Sequence, residues 1–451
     1  LAPFSGKVRK WVRGRFRWRS KAKALLQATP LQETPRLWMH CASLGEFEQG
    51  LPVLEAFKKR HPEAQVLLTF FSPSGYELRK YHPLADWVMY LPMDSPRHAR
   101  ELLDEFRPTL AVFVKYEFWW FYLRELKRRM IPAFLIAARF RPKQVFFKPA
   151  ARGGKWYRQM LFAFKAIMVQ DERSKQLLES IGYTNVKICG DPRVDRVLEL
   201  AEQAERIDVL EQFTRGGKDP LFIIGSSWPS DEEVLLPWLN TSFSGDSSPL
   251  AGKSGQPSPS GAGGAGGKSG QPSPPGAGGA GSPVYSPVRY NYKVLIAPHE
   301  INPRRIEKLM RRIELPVQRY TCLEQEPLRE DTRVLILDTI GLLSRAYRYG
   351  QIAYIGGGFG RGIHNILEPA AFGLPVLFGP RYHGFEEAVQ LVKAGAAFPV
   401  DSTEALASRF AEWQDSGRLA QAKRELQLYL RRHRGAARCC LDVIEAKALQ
   451  N

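Results

Sequence analysis

Short apolar runs that end in polar or charged clusters recur throughout this chain of 451 residues. In the first half they fall at 37–41, 66–71, 87–91, 110–114, 133–137, 166–169 and 186–189. Each reads as a buried strand, and the rhythm of strand, polar cluster and helical sequence gives βαβ units and a parallel sheet. Runs at 221–224, 293–298, 334–337, 352–355 and 375–378 predict a second sheet of the same kind, after helical, polar sequence over 197–213. The expected fold class is α/β, with two Rossmann-like halves, in a chain too long for one ordinary core. Open sheets of this type hold ligands at the carboxyl ends of their strands. The polar clusters are therefore the places to look for chemistry.

The densest cluster follows the run 352–355: Gly356-Gly357-Gly358-Phe359-Gly360-Arg361-Gly362-Ile363-His364-Asn365-Ile366-Leu367-Glu368-Pro369. A strand, a glycine loop and a helix start together suit an anion, because unpaired N–H groups and the helix dipole point at it. Glycine also lets a ligand approach the main chain closely. Asn365 and Glu368 lie three apart, a spacing that puts both on one helix face. A glycine-rich turn with no ligand is the competing reading. In the first half, Ser43-Leu44-Gly45-Glu46 follows the first strand. Glu46 is either the second half of a capping box with Ser43 or a carboxylate at a ligand-binding strand end.

Lys and Arg exceed Asp and Glu by enough to give a net charge of +19, which calls for an anionic partner. Nine cations lie between Lys7 and Lys23, interleaved with Trp11, Phe16 and Trp18, and no acid precedes Glu33. This segment reads as a basic patch beside anionic lipid, as an RNA-binding arm, or as a solvated tail. No run of 18 apolar residues is present, so nothing is expected to span a bilayer. The cysteines (Cys41, Cys189, Cys322, Cys439 and Cys440) lack zinc spacing, and their odd number argues against a disulfide framework, which favours a reducing cytoplasm. From about 241 to 287 the sequence becomes Gly, Pro and Ser-rich, with a heptapeptide at 253–259 recurring at 268–274. This reads as a disordered insertion whose two ends lie close together at the surface.

Five motifs, in order, resemble those of the 3-deoxy-D-manno-octulosonic acid (Kdo) transferases, which have the GT-B glycosyltransferase fold. They are Ser43-Leu44-Gly45-Glu46; Glu117-Phe118-Trp119; Gly190 to Asp195; Gly225-Ser226-Ser227 with Glu232-Glu233; and His364-Asn365 with Glu368-Pro369. The resemblance covers roughly 36–440 apart from the insertion. It implies inverting, metal-independent transfer of Kdo from CMP-Kdo to a phosphorylated lipid A precursor at an anionic inner-membrane surface. No cofactor, metal or nucleic acid is expected. It also implies that Leu1 stands just after a hydrophobic anchor.

Carried over motif by motif, the resemblance makes Glu46 the general base, with Glu117 and Arg193 beside it. It places CMP-Kdo on Ser226, Pro298, His299, Ile340, Gly341, Gly357, His364, Asn365 and Glu368. Four positions depart from the family pattern. Lys115 replaces the first acid of the motif that contains Glu117, and Arg193 replaces a Lys. His299 follows Pro298 where an Arg is usual, and Leu342 follows Gly341 where an acid is usual. The competing structural readings are a helix cap for Glu46, an ion-pair partner for Glu117 and a turn residue for His364. The expected segments are a basic N-terminal stretch at 1–35, an acceptor domain at 36–205 and a donor domain at 220–435. The competing functions are another GT-B enzyme with a different nucleotide sugar, or a non-catalytic basic protein at a membrane or on RNA.

Overall fold

The structure, a computed structural model, describes residues 6–149, 154–243 and 289–448. The first sheet comprises β1 (Arg36–Cys41), β2 (Gln65–Phe70), β3 (Trp87–Tyr90), β4 (Leu110–Val114), β5 (Ala133–Ala138), β6 (Ala166–Val169) and β7 (Val186–Ile188). All its pairings are parallel, in the order β3-β2-β1-β4-β5-β6-β7. The second sheet comprises β8 (Leu221–Ser227), β9 (Lys293–Pro298), β10 (Val317–Arg319), β11 (Val334–Ile336), β12 (Ile352–Ile355), β13 (Val376–Phe378) and β14 (Ala397–Pro399). Its order is β10-β11-β9-β8-β12-β13-β14, again parallel throughout. β10 carries the polar Gln318 and Arg319, and β14 contains Pro399, so neither announces itself as a strand in the sequence.

Successive strand side chains point to opposite faces, and β1 shows the result. Trp38 joins a core with Trp87, Phe113 and Tyr122 under the helices Trp18–Ala28, Pro96–Phe106 and Trp120–Arg128. Leu37, Met39 and Cys41 join the opposite core under the helix Leu44–Arg60. That second core also takes Cys440, Leu441 and Ile444 from the helix Ala436–Ala448. The chain therefore crosses from the second half back to the first. At the crossing Gly435 has φ 88°, and Asp195 accepts from the N–H groups of Gly435 (2.5 Å) and Ala437 (2.7 Å).

The same crossing corrects the cysteine reading. Cys189 and Cys439 form a disulfide, 250 residues apart in sequence, with Cα atoms 5.5 Å apart. Their pairing depends on the returning helix, which no local spacing reveals. Cys41 and Cys440 stay buried as thiols.

The body of the proposed insertion lies outside the described residues. Its flanks are described: the helix Pro229–Ser242 runs two residues past the expected start at 241. On the far side, Tyr290 N–H donates to Ser242 O at 2.8 Å. The insertion therefore leaves and re-enters the fold at one point.

Part of the basic N-terminal segment is built into the first half. The helices Gly6–Arg15 and Trp18–Ala28 lie beside β3, and Trp18 and Ala22 are buried. The Arg15 guanidinium donates to Leu91 O (2.9 Å) and Phe71 O (2.7 Å) and lies over the Trp11 and Phe71 rings. Burial pulls its pKa down to about 10. Arg19 grips Glu101 through two donors at 2.7 and 2.6 Å. These two cations hold structure. The outer side of the first helix exposes Val8 and Val12, and Phe16, just past its end, is exposed too; their spacing of four makes one stripe. No helix among the described residues is long and apolar enough to cross a membrane.

Candidate functional site

Left-handed backbone at non-glycine residues occurs at the ends of several strands. Seven such residues are found among those described, and four of them lie at or next to helix ends. The other three, Lys115 (φ 72°), Ala137 (φ 52°) and Ser226 (φ 54°), end β4, β5 and β8. Conformations of this kind cost on the order of 1–3 kcal/mol and gather at functional sites.

Glu46 lies in the first turn of the helix Leu44–Arg60, which leaves the end of β1. Its carboxylate accepts from Ser43 Oγ. Ser43 caps the helix only through its carbonyl, to Phe47 N–H at 3.1 Å, and makes no side-chain cap. The reciprocal capping box is therefore absent, and the half-buried carboxylate stays available to the cleft. Glu117 is buried just beyond β4. Its Oε2 accepts from His40 Nε2 (2.9 Å) and from Trp119 Nε1 (2.7 Å).

Arg193 sits where the halves meet. It donates to Asp191 (Nη2–Oδ2 2.6 Å) and, across the cleft, to Glu387 (2.9 Å). Burial opposes its charge, but Asp191 and Glu387 outweigh burial and hold the guanidinium above its usual pKa. A second cross-cleft pair joins Arg139 to Glu386. Lys115, at the end of β4, is pulled below its usual pKa by burial and then by Arg193, with Glu46, Asp191 and Glu387 opposing.

On the second half, the glycine loop is held from beneath. Asp231, fully buried, accepts from Gly357 N–H (2.9 Å), Trp228 N–H (2.9 Å) and Tyr354 OH (2.9 Å). Burial raises the Asp231 pKa, against these donors. The expected anion cradle is accordingly revised at Gly357, whose N–H is already taken. Its neighbours are glycines for packing reasons: a Cβ on Gly356 would stand 2.2 Å from Ser226 O, and one on Gly358 would stand 2.6 Å from the Gly379 backbone. The helix after the loop spans only Leu367–Ala371, so Asn365 precedes it and does not share a helix face with Glu368. Instead Asn365 Nδ2 donates to Glu368 Oε1 (3.0 Å), and its Oδ1 accepts from Leu367 N–H (3.1 Å). Burial, and then Glu48 of the first half, raise the Glu368 pKa, against Asn365.

Beside the loop, Trp228 Nε1–H donates to His364 Nε2 at 2.9 Å. The two rings are nearly coplanar (9°), and His299 stacks on both, with centroids 4.3 and 4.4 Å away. His364 is therefore more than a turn residue. Pro298 is buried at the end of β9. Ile340 is 89% exposed, and Gly341 (φ 93°) stands in open space, both on the loop after β11. Ser227 Oγ and Arg305 both hold Glu232, at 3.0 Å and at 2.6 and 2.9 Å. Sequence reasoning passed over Asp231, Trp228 and His40. The signals present were an acid in the first turn after Gly225-Ser226-Ser227 and a histidine inside an apolar strand.

The histidine pair carries a pH prediction. Burial, and then His299, lower the His364 pKa from 6.5 to about 4. The unfolded chain takes up this proton at an ordinary histidine pKa of about 6.5. Below that pH the unfolded state binds more protons, so stability falls as pH drops. This contribution should be complete above pH ~6.5 and lost by pH ~4. Melting curves across this window should show a steeper loss in the wild type than in His364→Asn. Equal slopes would remove His364 as the cause.

A family model described as 3-Deoxy-D-manno-octulosonic-acid transferase (kdotransferase) matches residues 12–196. A 3-deoxy-D-manno-octulosonic acid transferase of Aquifex aeolicus is 24% identical over 395 residues, 87% of this chain and 88% of its own length. One from Chlamydophila psittaci is 26% identical over 377 residues, 82% of this chain and 75% of its own. Among solved structures, UDP-GlcNAc 2-epimerase from Neisseria meningitidis superposes with a TM-score of 0.55 at 14% identity, covering 91% of this chain and 100% of its own. MurG from Acinetobacter baumannii does so at 0.51 and 12%, covering 91% and 99%. These two share the fold. The family model over the first sheet, with relatives of one name spanning both sheets, supports a Kdo transferase of the GT-B type.

Proposed function

We propose that, within the Kdo transfer of this family, the chain uses CMP-Kdo as donor and a phosphorylated lipid A precursor as acceptor. The observation that carries this reading is the placement of Glu46. Its carboxylate stands just after β1, takes no helix N–H, and lies on the helix whose Glu48 charge helps raise the Glu368 pKa in the opposite half. A sugar hydroxyl is a poor nucleophile until a base removes its proton as the bond forms. Glu46 takes that proton, the new C–O bond forms on one face of the anomeric carbon, and the bond to the CMP phosphate breaks on the other. The configuration inverts, and CMP leaves with the bonding pair. Lys115 and Arg193 supply cations beside Glu46, Asp191 and Glu387. Ser226, Pro298, His299, Ile340, Gly341, His364, Asn365 and Glu368 form the donor side of this proposal, with Gly357, Trp228 and Asp231 holding the loop.

The exposed Val8-Val12-Phe16 stripe and the basic helix that carries it suit an interfacial element on anionic lipid. On this reading the enzyme works at the cytoplasmic face of the inner membrane. The test is a product mass spectrum after incubation with CMP-Kdo and the lipid A precursor. One or more added Kdo masses are expected. A thermal shift with UDP or GDP that exceeds the shift with CMP would overturn the donor assignment.

A further inference from the structure

Glu117 ends a chain of hydrogen bonds that draws on three neighbouring strands, β2, β1 and β4. Trp38 Nε1 donates to Thr69 Oγ1 at 2.9 Å. Thr69 Oγ1 lies 2.8 Å from His40 Nδ1, and His40 Nε2 lies 2.9 Å from Glu117 Oε2. Trp38, His40 and Thr69 are fully buried, and Glu117 nearly so. We propose that His40, oriented by Thr69 and Trp38, is a positioning residue for Glu117. It holds Oε2, so that Oε1, which has no donor among the described residues, is left as a fixed acceptor.

The direction of the chain follows from which groups can donate. An indole N–H only donates, so Thr69 Oγ1 accepts from Trp38. The threonine hydrogen then has one polar neighbour to go to, His40 Nδ1. A buried hydroxyl hydrogen left without an acceptor would cost roughly 1–3 kcal/mol. Nδ1 is therefore the acceptor, and the ring proton sits on Nε2, where it donates to Glu117. The carboxylate imposes the same requirement from the other end, because its Oε2 needs donors and Trp119 Nε1–H is the second. Two independent constraints select one tautomer. Among the described residues no side chain or main-chain group donates to Oε1. The alternative tautomer would place Nδ1–H on Thr69 O, 3.1 Å away. A bare Nε2 would then face a carboxylate oxygen, acceptor against acceptor. Thr69 is thus the residue that decides the tautomer, although it never approaches the cleft.

Every member of the chain donates toward Glu117, so the relay gives its Oε2 no outlet for a proton. This divides the labour between the two carboxylates: Glu46 carries the proton, and Glu117 is a stationary negative charge beside the reacting sugar. That division rests on the transferase reading, whereas the tautomer does not. The test uses the full chain with ¹⁵N-labelled histidine, with the His40 signal assigned by His40→Gln. Long-range ¹H–¹⁵N correlation should show the Nε2–H form in the wild type, and a shift to Nδ1–H or to imidazolium in Thr69→Val. An Nδ1–H wild type, or a tautomer unmoved by Thr69→Val, would overturn the proposal even if the protein transfers no Kdo. In the activity arm, His40→Leu should lower kcat by roughly 10–100-fold, as loss of an orienting outer partner does elsewhere, with KM unchanged. His40→Gln, whose amide can donate from the Nε2 position, should recover most of it. A His40→Gln variant as impaired as a well-folded His40→Leu, or a KM effect alone, would refute positioning. If His40→Leu does not fold, Thr69→Val against Thr69→Ser gives the same comparison, with Thr69→Ser retaining kcat.

Discussion

Replacing Glu46 by glutamine should lower kcat by about 10²–10⁴-fold, the usual contribution of a positioned general base. CMP binding should stay as in the wild type, because Glu46 stands on the first half and the proposed nucleotide side stands on the second. The fold should also tolerate the change. Among the described residues the Glu46 carboxylate caps no helix N–H, and its one hydrogen-bonding side chain is Ser43 Oγ, which can donate to an amide oxygen as well. Melting temperature, CMP thermal shift and turnover measured on one preparation separate these effects. Turnover near the wild-type value would mean that another group takes the acceptor proton. Loss of CMP binding would mean that Glu46 touches the donor.

Arg193→Met should have the largest effect on stability. The side chain lies between Asp191 and Glu387, both buried, and joins the two halves. Breaking a buried pair from one side leaves uncompensated charge and costs about 3–5 kcal/mol. For units of this size that is a fall in Tm of roughly 6–20 °C. Arg193→Lys keeps the charge but loses the fork that reaches two carboxylates at once, so a smaller fall is expected. Adding Glu387→Gln to Arg193→Met should restore part of the loss, because one of the two stranded charges disappears. If Arg193→Met melts like the wild type, the bridge contributes nothing net across the cleft.

The strand pattern was legible because parallel strands are buried on both faces and read as apolar runs. Trp38, Val112 and Ile136 all lie in such runs. The edges β10 and β14 were hidden because Gln318 and Arg319 break the apolar pattern of the first and Pro399 sits in the second. In the site, Glu46, Glu117 and the Asn365–Glu368 pair were legible from their place after strands. Their partners were not, because they come from far along the chain: His40 meets Glu117 across 77 positions, and Asp231 meets Gly357 across 126. The glycine loop was misread in one respect. Its glycines look alike in sequence, yet Gly356 and Gly358 serve close backbone approach, and Gly357 gives its N–H to a buried acid. The Cys189–Cys439 pairing was invisible for the same reason of distance.

The return of the helix Ala436–Ala448 to the first half means that two segments, not one, connect the halves. One runs between the helices Arg193–Glu202 and Asp208–Phe213, and the other is the turn at Gly435. A single tether lets two bodies swivel, whereas two tethers define an axis, like the paired pins of a door. Opening of the cleft is then confined to rotation about the line through both pins. Asp195 and the disulfide secure one pin to the first sheet. Any rotation of one half against the other must therefore turn both connections together.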